Sequence, residues 1–199
     1  MKFVLNILKA FLINFLFIGI THAATSCPSI SPKLAGDEPT EQVEAIINDI
    51  VCAFIDLHNQ NNGTLTSTLN LTKKKIIPYI DLAHSTELAL GDHWRSLNKQ
   101  QRKIFERDIK SSLINDYVGI LAEIKEWGDL NVSVDENYSQ NENTARVKIM
   151  VSLDNSNARA TVTLKLIKKN RWKIYDLEYQ SVSILDIEKI GYDSKIKRQ

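Results

Sequence analysis

The sequence predicts an α+β domain, in which a layer of N-terminal helices packs over one face of a twisted, mainly antiparallel sheet of four strands. Two observations carry that expectation. Apolar residues recur at helical spacing from Val43 to Ile124, and the period then drops to two between Leu130 and Tyr179. Clusters of turn-forming residues separate the later segments, so helices come first and a run of antiparallel strands follows.

The chain opens on a segment that is not part of that domain. Met1 to Lys9 carries Lys2 and Lys9 and no acid, Ala10 to Ile20 is apolar except for Asn14, and Thr21 and Ala23 are small residues at the two cleavage positions. This pattern predicts a secretory signal peptide over residues 1–23. The run is shorter than the ~20 apolar residues that span a bilayer, so the expectation is a soluble, exported protein. Removing residues 1–23 takes away two lysines and no acid, which turns the formal charge from +1 to −1. A nucleic-acid partner or an anionic membrane would call for a basic excess, and none exists. Residues 24–39, rich in Ser, Pro and Gly, read as a flexible lead-in, and residues 40–199 as one domain.

Each element has its own signal. Thr40, followed by Glu41 and Glu44, predicts the start of a first helix whose stripe runs Val43, Ile46, Ile47, Ile50, Val51, Phe54 and Ile55 and stops near Asn59–Gly63. A second, short helix is expected from Leu65 to Ile77, with a bend at Pro78, which lacks an amide and disfavours helix at the preceding residue. Leu82 to Leu90 is a third, ended by Gly91. Asn98 with Gln101 three residues on forms a capping box for the longest helix, which presents Phe105, Ile109, Leu113, Tyr117 and Leu121. Strands are expected at Leu130–Val134, Val147–Leu153, Ala160–Leu166 and Arg171–Tyr179, with turns at 154–157 and 168–170.

Few residues suggest chemistry. After the signal peptide the histidines are His58, His84 and His93, none at zinc-binding spacing. Asp92-His93 is a poor acid-base pair because adjacent side chains diverge. Ser183 lacks the Gly-x-Ser-x-Gly elbow. No glycine-rich phosphate loop exists, so no cofactor and no metal are expected. Cys27 and Cys52, the only cysteines, either close a disulfide loop of about 25 residues in an oxidising compartment or leave Cys27 as a lipid-anchored residue. The stretch Ala24-Thr25-Ser26 lacks the leucine that such an anchor usually has three residues before the cysteine. Periodicity alone fits a solid core, while a helical layer over a curved sheet can also hold a pocket open.

The string from Ile76 to Phe105 resembles the signature of the MlaC family of periplasmic phospholipid-binding proteins, also called the toluene-tolerance auxiliary family. The matching elements are Ile76-Ile77-Pro78-Tyr79, Leu90-Gly91-Asp92-His93-Trp94 and Gln101-Arg102, with a second patch at Arg171–Leu177 and Ser181-Val182-Ser183. Ser181 departs from the family's glycine, and the residues after Leu185 are fewer than the family's usual helical tail. The resemblance implies a monomeric periplasmic carrier that holds a phospholipid by its tails between helices and sheet. It would move lipid between an outer-membrane lipoprotein complex and an inner-membrane ABC transporter complex and so contribute to outer-membrane lipid asymmetry. It also implies that Val182 lines the pocket mouth and that Arg102 belongs to a docking surface.

The expected wall of that pocket is Tyr79, Leu82, Leu90, Phe105, Ile109, Leu113, Tyr117, Val147, Ile149, Val151, Val162, Leu164, Ile174 and Val182. Two alternatives use the same fold. One is a small isomerase or dehydratase on a conical α+β scaffold, with Asp176 as its acid or base; the other is a non-enzymatic envelope interaction protein with a filled core.

Overall fold

Pro39 opens α1 (Pro39–Asn59), where its missing amide leaves no helix bond unmade. Glu38 takes the cap position without a side-chain cap bond, so the expected cap, Thr40, lies inside the helix. The computed structural model describes residues 37–124, 127–154 and 159–196; the expected signal peptide, most of the lead-in and Cys27 lie outside the described residues. Cys52 is buried in α1 and is disulfide-bonded.

The end of the lead-in is fixed to the sheet. Gln42, 4% exposed, donates from Nε2 to the Trp172 carbonyl and accepts from the Trp172 amide, both at 3.0 Å. The Trp172 indole N–H donates to the Asp37 carbonyl at 2.9 Å, and the Tyr138 hydroxyl donates to Glu38 at 2.6 Å. One buried amide side chain thus replaces a missing strand partner for Trp172 and sets α1 against the start of the last long strand.

The next elements follow the caps closely. α2 (Leu65–Lys75) starts at Thr64, whose side chain accepts from the Ser67 amide. It gives way to a 3-10 turn at Ile77–Tyr79 with Pro78 in its first positions. Beyond the turn, Ile80 makes an isolated parallel bridge to Ile174 and the Asp81 amide donates to the Ile174 carbonyl at 2.8 Å. The proline bend therefore lays the chain along the sheet edge before α3 (Leu82–Leu90) begins, capped by Asp81 and closed by Gly91 at φ 51°. A single turn, α4 (His93–Ser96), leads to α5 (Lys99–Glu123), where Asn98 and Gln101 form the full reciprocal capping box.

After a 3-10 turn at Trp127–Asp129, the sheet has six strands rather than the four expected: β1 (Leu130–Val134), β2 (Ser139–Gln140), β3 (Thr144–Leu153), β4 (Arg159–Lys168), β5 (Trp172–Tyr179) and β6 (Val182–Ser183). All strand pairs are antiparallel, in the order β1-β3-β4-β5-β6 with β2 also on β3. β2 and β6 are two residues each, too short to show an alternation. The chain then forms α6 (Ile184–Ile196), a helix additional to those expected from the sequence. Among the described residues no helix is long and apolar enough to cross a membrane.

A bulge decides which side chains of β5 point inward. Ile174 pairs with Leu166 but Asp176 pairs with Lys165, so Tyr175 is the extra residue. Trp172, Ile174 and Leu177 consequently pack with the sheet's apolar face, while Asp176 faces Lys165. That face packs on Val43 and Ile47 of α1. A second cluster, Ala89, Leu90, Ile109, Leu113, Leu185 and Tyr192, joins α3, α5 and α6.

Replacing Gln42 by Met keeps the volume but strips both bonds from the Trp172 backbone. It is expected to cost about 2–4 kcal/mol, two buried groups losing their partners, and urea unfolding should show a lower midpoint with an unchanged slope. The hairpin between β5 and β6 turns through Gln180 and Ser181, at φ 50° and 63°. Side chains other than glycine and asparagine strain there by about 1 kcal/mol, so Ser181→Gly should raise the midpoint by a corresponding amount.

Candidate functional site

The expected wall does not form one surface. Val147 and Leu164 are buried against α1, with Ile149, Val162 and Ile174 half-buried beside them. Leu90, Ile109 and Leu113 are buried in the second cluster, with Leu82 and Phe105 at its margin. Phe105 meets Tyr192 edge-on at 5.6 Å. Tyr79 packs at the 3-10 turn, its hydroxyl 3.4 Å from the Asp49 carboxylate; burial first and Asp49 second push its pKa up. Tyr117 belongs to α5, but its side chain lies outside the described residues.

The two clusters meet at a small cavity of about 20 Å³ lined by Ile80, Leu113, Ile174, Tyr175, Asp176, Leu177, Ile184 and Leu185. That space holds roughly one water molecule. Of the expected wall, among the described residues, Leu113 and Ile174 reach it. The other lining residues come from the proline bend, the bulge and α6. Their signal was present at Ser183-Ile184-Leu185-Asp186, a capping pattern in which Ser183 Oγ accepts from the Asp186 amide at 3.2 Å.

The inner face opens along the strands. The rows Ala145–Leu166–Ile174 and Val147–Leu164–Leu177 are sealed or nearly so, whereas the next row ends on Ile149, Val162, Tyr179 and Val182. In that row Tyr179 is 44% and Val182 52% exposed, and the two face each other across the β5–β6 hairpin. Val151 is half-buried beyond them, paired with Val132 and Ala160. An apolar strip thus runs from the packed interior to solvent at Val182.

Asp176 is a structural carboxylate. It is 6% exposed and accepts from Lys165 Nζ (2.7 Å), Ser183 Oγ (2.7 Å), the Leu177 amide (2.8 Å) and the Leu185 amide (3.2 Å). Four donors fill its oxygens, leaving none to take a proton from a substrate. Burial works against the Lys165 ammonium, but bonds and charges from Asp176 and Glu178 outweigh it and raise its pKa. Glu178 is held below its ordinary pKa, chiefly by its hydrogen bond from Arg146 at 2.8 Å. Arg102 stacks over the Trp94 ring at 4.5 Å and donates to the Trp94 carbonyl at 3.2 Å. Among the described residues no cluster of His, Cys, Asp or Glu could hold a metal.

The same architecture is found in a solved structure, the phospholipid-binding protein from Ralstonia solanacearum in complex with a phospholipid. It aligns with a TM-score of 0.66 at 22% identity over 78% of this chain and 86% of that one. No curated protein matches the chain. The profile of the family described as MlaC protein matches residues 44–199, and the chain belongs to that family.

Asp176→Ala leaves three donors unpaired in a closed site and Lys165 with Glu178, at 3.4 Å, as its remaining partner. Breaking a buried pair in this way costs about 3–5 kcal/mol, and thermal melting should show the loss; a melting temperature equal to that of the unsubstituted protein would contradict the structural role.

Proposed function

We propose that the protein is a periplasmic phospholipid carrier, exported by residues 1–23, that moves lipid between an outer-membrane lipoprotein complex and an inner-membrane ABC transporter complex. The observation that carries this reading is the apolar strip that runs from the packed rows of the sheet out to Tyr179 and Val182. Family membership and the phospholipid in the Ralstonia protein support it. Burying a methylene is worth about 0.8 kcal/mol, so two tails of about fifteen carbons represent on the order of 20 kcal/mol of water avoidance. Such a ligand needs an enclosing protein to cross an aqueous space.

The cavity at the cluster junction is far too small for tails as it stands. Loading therefore proceeds from the open row inward, with the helical layer lifting from the sheet. Tyr79, Leu82, Leu90, Phe105, Ile109, Leu113 and Tyr117 form the helical side of that opening; Val147, Ile149, Val151, Val162, Leu164, Ile174 and Val182 form the sheet side. Arg102, with the face of Trp94 beneath it, offers a docking point for a membrane complex. In this reading the carrier works as a monomer and a disulfide joins Cys27 to Cys52. No reaction is required of it, in keeping with the saturated Asp176.

Solvent extraction of the purified protein after incubation with liposomes, followed by mass spectrometry, should recover phospholipid, and Val182→Glu should reduce the yield several-fold by placing a charge in the strip. Recovery of no phospholipid from the unsubstituted protein would remove the carrier reading.

A further inference from the structure

The outer face of the sheet carries a second concavity, of about 540 Å³, with a different chemistry. Arg146 and Lys148 of β3, Thr161 and Thr163 of β4 and Glu178 of β5 form its floor, Gln180 and Ser181 one rim, and residues 137–139 the other. Its volume is that of a small-ligand site, and hydroxyl, amide, carboxylate and cationic groups line it together with the apolar parts of those side chains.

Its charges are unevenly committed. Glu178 is already bound to Arg146 at 2.8 Å and lies 3.4 Å from Lys165, so its charge is met within the sheet. Arg146 donates to Glu178 through Nη2 and has five guanidinium donors in all. The Lys148 side chain has no ion-pair or hydrogen-bond partner among the described residues. The floor therefore presents uncommitted positive charge beside two threonine hydroxyls.

The groove is continuous with the end of the apolar strip. Tyr179 and Val182 face the inner side, Gln180 and Ser181 join them and line the groove, and the Gln180 amide donates to the Tyr179 hydroxyl at 3.1 Å. Only the thickness of one two-residue turn separates the strip from the polar floor.

We propose that this groove seats a glycerol phosphate, the hydroxylated anionic headgroup of the carried lipid, with Arg146 and Lys148 on the phosphate and Thr161, Thr163 and Gln180 on its hydroxyls. The assignment of a lipid source rests on the carrier reading above. The carrier then prefers phosphatidylglycerol-like lipids over zwitterionic ones whose headgroup offers no hydroxyl.

The test offers the protein vesicles of equal phosphatidylglycerol and phosphatidylcholine and analyses the protein-bound lipid, and in parallel follows backbone amide shifts while titrating sn-glycerol 3-phosphate. Enrichment of phosphatidylglycerol by about threefold to fivefold is expected, the scale of a solvent-exposed ion pair. Lys148→Glu should abolish the enrichment while total bound lipid stays unchanged, and Thr161→Val should weaken it. Shifts at Thr161, Thr163 and Gln180 with soluble glycerol phosphate but no lipid enrichment would uphold the groove and assign it a free phosphate ester. Lipid bound without enrichment, together with no shifts, would overturn the groove and leave the carrier intact; shifts without any bound lipid would do the reverse.

Discussion

The geometry around the cavity depends on the Asp176 carboxylate. It draws Lys165 from β4, Ser183 from β6 and the Leu185 amide from the first turn of α6 onto a single buried residue of β5. A carboxylate at a helix N-terminus is favoured by the exposed amides and the helix dipole, and here the strand itself supplies it. The bulge at Tyr175 makes this possible, because without the extra residue strict alternation would put Asp176 inward and Leu177 outward. One inserted residue thus keeps the apolar face apolar and places a charge where α6 must start. Tyr175, displaced from the ladder, turns to the helices, meeting His84 edge-on at 5.0 Å.

The two ends of the sheet are treated differently as a result. At one end Gln42, Trp172 and Val43 close α1 onto the strands with buried hydrogen bonds and close packing. At the other the strands run on past the helical cover. α6 is held to its neighbours by Leu185 and Tyr192 inside the second cluster and by polar contacts at its edges, Ser112 with Glu188 at 2.6 Å and His93 with Asp193 at 3.2 Å. Half-exposed pairs such as His93 with Asp193 contribute about 0–1 kcal/mol, so the buried side chains and the Asp176 bonds, rather than these edge contacts, hold α6 in place.

How much of this was legible in the sequence depended on how local its cause was. The capping box at Asn98 and Gln101, the stop at Gly91 and the bend at Pro78 act through their own backbone neighbours, and each lies where the residues indicate. The alternating runs gave the four long strands for the same reason. β2 and β6 are two residues long, and pairing with the adjoining strand of a tight hairpin, rather than their own pattern, makes them strands. Thr40 lost the cap position because Pro39, with its backbone angle already fixed, starts the helix one step earlier. Of the residues read as a pocket wall, Leu90, Ile109, Leu113, Val147 and Leu164 are buried, but hydrophobicity could not say that they divide between a cluster of α1 with the sheet and a cluster of α3, α5 and α6. That division follows from the bulge and from α6, and periodicity encodes neither.

The turn at Gln180 and Ser181 shows how the fold sets local comfort against position. Both residues sit in the left-handed region, where the resembling family has glycine at the second position. Glycine would relax the backbone but would remove a hydroxyl from the rim of the polar groove. Strain persists where surrounding structure over-determines it, and here Tyr179 and Val182 pair on one side while Asp176 fixes Ser183 on the other. The strain is borne by the shortest link between an apolar strip and a polar groove. It keeps both faces of the hairpin in register at the point where a ligand with two chemistries would have to pass from one to the other.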